Sequence, residues 1–416
     1  MNFDRQGVAT PQHLFLGAGE PLIFHCHHYN LTLQQSIEDA GRWFDAPALL
    51  TQGAEQSAFP MLQRICGAGP AEERFARARE AFRVQGFGMI EGASILPTGG
   101  SLRVRNSHYG LGYQATRPEL PRHSPVCYFA AGYLAAAAAV ANDRPPGSYE
   151  VHETECVALG AKACRFSCTP REQPLPMRPH VGAGRIVEPM PPRPEAALET
   201  SVNEERILAA LSQLSLDGNE EGSIPAFGVY LTQHFANYYN RISYGMLDAI
   251  GDDLTLREAA AHVLVEAGHV CAFNTFGGIM KSAEWEGVVR PMIETRADWI
   301  FGIVSVINAL GWGRWSVVDL IEHEKLVIRV DSSYESNFHL AEYGEAAGPR
   351  CYFCRGGVAG IMNLLYVGDI TQGPELSADY YAELFSSPES FVARETACRS
   401  KGDPHCEFVA TRRLFE

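Results

Sequence analysis

The sequence has no uninterrupted apolar run near the ~20 residues that span a bilayer. The longest, Tyr128 to Ala141, is alanine-rich and reads as a buried helix. A secretory leader is missing too: Met1-Asn-Phe-Asp-Arg-Gln lacks the basic-then-apolar order of one, so a cytoplasmic location is expected. Positive charge is scarce, with 34 Lys and Arg against 49 Asp and Glu and a net charge of −15. Such a surface repels phosphate backbones, and neither nucleic acid nor membrane is an expected partner. No Gly-x4-Gly-Lys-Ser/Thr phosphate loop occurs, and no convincing Gly-x-Gly-x-x-Gly fingerprint follows a strand. A reductase built on this chain would therefore need electrons from a partner.

What is present is globular material. Hydrophobic residues make up 46% and charged residues 20% of 416, enough for a large core and for two or three domains. Eleven cysteines in a chain of this size and expected location point to metal ligation or buried thiols rather than disulfides.

Eight of the 25 prolines fall between Pro170 and Pro194. Residues 170–196 thus read as an extended linker between a first domain, 1–169, and a second, 197–416. The two segments repeat one another in order. Gly86-Phe-Gly88 matches Gly311-Trp-Gly313, and Asn106-Ser-His-Tyr109 matches Asp331-Ser-Ser-Tyr334, both at an offset of 225. Cys127-Tyr-Phe129 matches Cys351-Tyr-Phe353 at 224, and residues 151–169 match 393–411 at 242 with seven of 19 positions identical. His28-Tyr-Asn30 against Tyr238-Tyr-Asn240 is a weaker match.

Helices are expected over Leu31 to Arg42, Ala71 to Gln85, Leu254 to Cys271 and Ala297 to Leu310. Leu102 to Arg105 and Leu326 to Val330 read as strands. Ser124-Pro125 reads as an N-cap followed by a first-turn proline, before a helix from about Cys127 to Ala141. Each copy closes with two short strands around Gly160 or Gly402. Without regular strand–helix alternation the fold class is α/β of the α+β type, a helix-plus-antiparallel-sheet domain in two tandem copies.

Cys127, Glu153, Cys156 and Cys164 in the first copy correspond to Cys351, Glu395, Cys398 and Cys406 in the second. The Glu-x-x-Cys-x7-Cys spacing is identical in both. A strand–turn–strand can bring its two arms together at that spacing, and the helix-borne cysteine supplies a fourth vertex. Three thiolates and a carboxylate suit tetrahedral zinc, two per chain, each a closed structural site. The bland alternative is a set of buried thiols.

Cys127-Tyr-Phe-Ala-Ala-Gly-Tyr133 followed by Glu153-x-x-Cys156-x3-Gly160-x3-Cys164 resembles the 4-vinyl reductase domain, also described as a predicted hydrocarbon-binding domain. It is similar to the sensory domain of bacterial activators that respond to phenol, toluene or xylene. Asp331-Ser-Ser-Tyr-Glu-Ser-Asn-Phe-His339 strengthens the likeness in the second copy. The resemblance implies a usually dimeric α/β fold in which zinc, held by Cys-Glu-Cys-Cys on a β-hairpin, closes one side of an apolar pocket for a small aromatic. It implies pocket candidates Trp312, Trp315, Tyr334 and His339 in the second copy and Phe87, His108 and Tyr109 in the first. For each, ordinary core packing is the competing reading. The chain ends at Glu416 without the ATPase and helix-turn-helix segments of those activators, so no transcriptional output of its own is expected. Gly357 stands where the first copy has Tyr133, so unequal binding by the two copies is expected.

One feature departs from the repeat. His25-Cys-His-His28 stands against Phe235-Ala-Asn-Tyr238 in the Tyr-Asn register. On a helix His25 and His28 would share a face and could hold a further transition metal or act as general acid and base, with His108, His123 or Asp39 as a third group. Two functions follow: a zinc-containing protein that binds a small aromatic or hydrocarbon-like molecule, or an enzyme acting on such a molecule through those histidines. A scaffold is the third. The halves could pair within one chain, or the chain could form a homodimer.

Overall fold

The computed structural model describes residues 5–6, 13–92, 94–116, 122–178, 192–194 and 198–413. The first half opens with strands β1 (Arg5–Gln6), β2 (Phe15–Gly17) and β3 (Glu20–Cys26). Helices α1 (His27–Asp39), α2 (Ala46–Cys66) and α3 (Ala71–Val84) follow. Then come β4 (Met89–Glu91), β5 (Gly100–Arg105), α4 (His108–Thr116), α5 (Tyr128–Ala141), β6 (Tyr149–Glu155) and β7 (Cys164–Pro170). The Asp45 carboxylate caps α2 by accepting from the Ala48 amide at 3.0 Å, and Gly67 ends it at φ +56°. The alanines of α5 are buried against α2, where a Cβ on Gly132 would meet the Thr51 carbonyl at 2.1 Å. Small residues let the two helices approach closely.

The second half adds α6 (Glu204–Ser212) and then repeats the plan. It runs β8 (Ile224–Ala226), β9 (Val229–Phe235), α7 (Ala236–Ala249), α8 (Leu254–Cys271), a π-helical turn (Ala272–Phe276), α9 (Gly277–Met280) and α10 (Ala283–Val288). It continues with α11 (Arg296–Ala309), β10 (Trp315–Ile321), β11 (Lys325–Val330), α12 (Tyr334–Tyr343) and α13 (Tyr352–Met362). A second π turn (Asn363–Val367), α14 (Ala378–Ser386), β12 (Phe391–Ala397) and β13 (Cys406–Arg412) complete it. The run Leu254–Met280 passes a length-and-composition test for a membrane span, but 67% of its most apolar window is buried within the protein.

Each half builds its own four-stranded antiparallel sheet, β4-β5-β7-β6 in the first and β10-β11-β13-β12 in the second. The expected mixture of helix and antiparallel sheet in two matching halves is what the chain forms. A third sheet, β1-β2-β3-β9-β8, joins them through antiparallel pairing of β3 with β9. Glu20 and Val229, Cys26 and Phe235, and the first residues of α1 and α7 are all separated by 209. At that offset Phe24 and Gln233 are the same position of the two copies, and they pair with each other. The junction is thus isologous, with a local twofold axis between β3 and β9.

The hairpins cross this axis. The Phe24 amide donates to the Leu310 carbonyl at 3.3 Å, and the Gln233 amide donates to the Gln85 carbonyl at 2.9 Å. Each hairpin therefore lies on the helix end of the opposite half. The glycines of the repeated Gly-aromatic-Gly motif make room for it: Gly86 and Gly311 hold φ of +85° and +84°. A Cβ there would press on Ile224 and Phe15 respectively.

Several boundaries differ from the sequence reading. α1 begins at His27, four residues before Leu31, and α2 has no counterpart among the expected helices. Helix α5 starts at Tyr128, next to the expected Cys127, but its N-cap is Cys127 rather than Ser124, and the Cys127 amide donates to the Glu153 carboxylate at 2.8 Å. Of the linker, 179–191 and 195–196 lie outside the described residues. Its first stretch is tied down, the Arg171 amide donating to Ser148 O at 2.8 Å and the Leu175 amide to Gly147 O at 3.0 Å.

Candidate functional site: two metal clusters, two exchanged histidines and one cleft

In each half the strand pair closing the sheet carries a three-residue 3-10 turn and a left-handed glycine, Gly160 at φ +89° and Gly402 at +90°. That turn folds Cys156 back on Cys164, and Cys398 on Cys406. The N-terminal end of α5 or α13 brings the third thiol. One ligand atom from each of Cys127, Glu153, Cys156 and Cys164 lies within 4.8 Å of the others, and the same holds for Cys351, Glu395, Cys398 and Cys406. The Cys127 and Cys164 sulfurs are 3.5 Å apart and those of Cys351 and Cys406 3.6 Å. These match the edge of about 3.8 Å that follows from sulfur at ~2.3 Å around a tetrahedral ion.

Each glutamate spends one oxygen on a backbone amide, Cys127 N at 2.8 Å or Cys351 N at 3.0 Å. The other oxygen, Oε1 of Glu153 and of Glu395, is buried without a protein partner. An orphaned carboxylate oxygen among three buried sulfurs is the donor set a cation requires. Burial and then the Cys156 charge push the Glu153 carboxyl up to about 8. Both sets can hold a metal ion. An ion held by all four groups would tie the hairpin to the helix. Among the described residues no other group of three or more ligand-bearing side chains comes together in this way.

The histidine cluster is arranged differently from the sequence expectation. His25 lies on β3 while His27 and His28 open α1, so His25 and His28 share no helix face. At the offset of 209 the counterpart of His25 is His234, not Phe235. The apparent asymmetry is a register shift of one residue, since the Tyr-Asn match ignores where the strand ends. Both histidines are fully buried. His25 is stacked between Tyr29 and Trp312, ring centroids 4.2 and 4.7 Å away, with Phe353 edge-on at 5.0 Å. His234 stacks on Tyr238 at 4.8 Å, with Phe87 edge-on at 4.9 Å and Phe129 tilted at 4.3 Å. The Tyr109 hydroxyl lies 3.2 Å from His234 Nε2. Each imidazole thus enters the aromatic interior of the opposite half.

Burial pushes both imidazoles well below the ordinary histidine value. They are neutral at pH 7. His25 Nδ1 lies 3.6 Å from the Cys271 thiol, and Cys271 and Cys26 both bond the Thr275 hydroxyl on the first π turn. His27 Nδ1 accepts from the Tyr230 amide at 3.2 Å, and His28 lines a groove of about 450 Å³ between α1 and α8. His108 is bonded to the Asn30 amide at 2.9 Å, whereas His123 and Asp39 line a separate hollow.

Of the seven pocket candidates, Trp312 and Tyr334 surround His25, and Phe87 and Tyr109 surround His234. Trp315 is fixed by its amide to Asn308 Oδ1 at 2.8 Å. His339 lies apart, 3.1 Å from the Gly344 carbonyl and stacked on Tyr343. Sequence reasoning missed His234, Tyr238 and Phe129. Aligning the starts of α1 and α7, rather than the Tyr-Asn pairs, is the signal that finds them.

A cleft of about 330 Å³ opens in the first half between α2, α5 and β6. Cys127 and Glu153 of the first metal cluster line one end, and Tyr128, Ala131 and Tyr149 form apolar wall. This volume is at the lower end of the small-molecule range. In the second half Arg355 stands at the position of Ala131. Its Nε donates to the Ala393 carbonyl on β12 at 3.4 Å. The two halves share a fold and differ at this opening.

Residues 115–170, which contain α5 and the metal-ligating strands of the first half, match the 4-vinyl reductase (V-4-R) domain. The resemblance drawn from the Cys-Glu-Cys-Cys motif is borne out there. The chain is also similar to the crystal structure of the phenol-responsive sensory domain of the transcription activator PoxR with phenol. That likeness has 16% identity and a TM-score of 0.35, and covers 50% of this chain and 90% of that one. No curated protein matches the sequence.

Proposed function

We propose that this chain is a zinc-containing binding protein for a small aromatic molecule, held in the cleft of the first half beside its metal cluster. The observation that carries the reading is the cleft itself, a partly enclosed space in which alanine, proline and tyrosine side chains alternate with ionisable ones, and which Cys127 and Glu153 of the first cluster also line. The 4-vinyl reductase domain match over 115–170 supports it, since those residues include Cys127 and Glu153. Zinc suits the donor set in both halves, as three thiolates and a carboxylate are a tetrahedral combination. Residues 1–169 and 197–416 then form the two domains, paired through β3 and β9 as a dimer-like unit within one chain. A cytoplasmic location accords with eleven free thiols.

The exchanged histidines act in this reading as plugs that lock the halves together. The enzyme alternative would need one of them to meet substrate, and both are enclosed by rings. Ala131→Arg tests the reading, because it installs in the first half the side chain that stands at this position in the second. Phenol, followed by equilibrium dialysis, is expected to lose at least tenfold in affinity while metal content and melting stay unchanged. Unaltered phenol binding in a folded variant would place the ligand elsewhere.

A further inference from the structure

One group in the cleft has no role in holding a plain aromatic ring. Glu55 on α2 lines the cleft, yet its side chain is only 3% exposed. Its Oε1 accepts from the Gly147 amide at 2.7 Å. Gly147 is itself fixed, since it holds φ +82° and its carbonyl takes the Leu175 amide at 3.0 Å. The carboxyl is therefore clamped in one orientation by backbone, as a preorganised recognition group should be. Burial pushes it up to about 7, against the Gly147 bond and the nearby Arg171, which pull it down. The fold thus keeps an acid whose ionised form is poorly compensated by protein.

The surroundings indicate what compensates it. Two basic side chains of the cleft, Arg171 and His152, both lean on Glu150, at 3.3 and 3.1 Å. Asp45 and Glu153 add further carboxylates, one committed to capping α2 and the other to the metal set. The second half, where Arg355 stands in place of Ala131, has His269 at the position of Glu55: Gly132 packs on Thr51 O and Glu55 N as Gly356 packs on Val265 O and His269 N. The acid occurs in the half that carries the cleft, and an imidazole takes its place in the other.

We propose that the ligand of this cleft is a small aromatic carrying a protonated amine, its ammonium paired with Glu55 and its ring against Tyr128 and Tyr149. This rests on the cleft being the ligand site. A carboxylate in an apolar wall discriminates strongly between a cation and its neutral isostere, because the wrong partner leaves a buried charge unpaired.

Benzylamine and benzyl alcohol, nearly identical in shape, are the probes, titrated by calorimetry into the metal-loaded full chain at about 0.15 M salt to screen the net charge. Benzylamine is expected to bind at least tenfold tighter than benzyl alcohol. Glu55→Gln keeps an oxygen for the Gly147 amide and is expected to erase that difference without changing metal content or melting. Equal affinity of the wild type for both probes, or a preference that survives Glu55→Gln, overturns the proposal while leaving a ligand cleft in place. Should the Gln variant fail to fold, Ala131→Arg, which blocks the cleft and leaves Glu55 intact, replaces it. A benzylamine preference that persists with the cleft blocked then overturns the proposal. Binding of neither probe overturns both this proposal and the cleft as ligand site.

Discussion

Cys398→Ser is expected to release one of two metal equivalents and to cost at least ~3 kcal/mol of stability, lowering the melting temperature by about 10 °C. The effect is large because the metal set is a crossing point of the fold. Cys398 comes from the turn after β12, Cys406 from β13, Cys351 from the end of α13 and Glu395 from β12. Losing one ligand unfastens the hairpin from the helix and leaves a buried carboxylate and two thiols without a cation. Free energies of folding are only about 5–15 kcal/mol, so a loss of this size is a sizeable fraction. Element analysis and thermal melting check it together. A variant with both metals, or one melting like wild type, would remove the structural role given to the site.

Acid is expected to unfold the chain through His25 and His234. Both are held neutral by burial, well below the unfolded value near 6.5. For a base whose folded value is depressed, the stabilising contribution is complete above about pH 6.5 and is lost as pH falls through the folded value. Each histidine then destabilises the fold increasingly as pH falls below about 6.5, by up to about 1.4 kcal/mol per pH unit for as long as the folded imidazole stays neutral. Glu55 and Glu335, both raised to about 7 by burial, act in the opposite sense. A difference measurement therefore isolates the histidines. Denaturant midpoints of wild type and His234→Gln, followed from about pH 7 to 4.5, should diverge by up to about 1.4 kcal/mol per unit. Parallel curves would mean that His234 is not held neutral in the interior.

The repeat, the metal ligands and the strands that carry them were legible because they depend on local spacing. Glu-x-x-Cys-x7-Cys needs only a hairpin, and Gly86-Phe-Gly88 against Gly311-Trp-Gly313 survives in the sequence because both glycines sit at positive φ under a crossing hairpin. What was not legible depends on contacts between halves. No local pattern says that β3 pairs with β9, or that His25 enters a cage containing Trp312. The histidine cluster looked like a ligand set because four such residues adjoin in sequence. A strand-to-helix junction at Cys26 sends them in different directions. The cleft was hidden for a related reason: Ala131 and Arg355 are both unremarkable on their helices, and only the opposing strand decides which leaves a space.

The most direct test is the stoichiometry of phenol bound to the metal-loaded full chain at saturation, read by equilibrium dialysis. One phenol per chain is the predicted result, because the first half has an open cleft and the second carries Arg355, bonded to the Ala393 carbonyl, where the first has Ala131. Two per chain would contradict the asymmetry between the halves, and none would contradict the binding function itself.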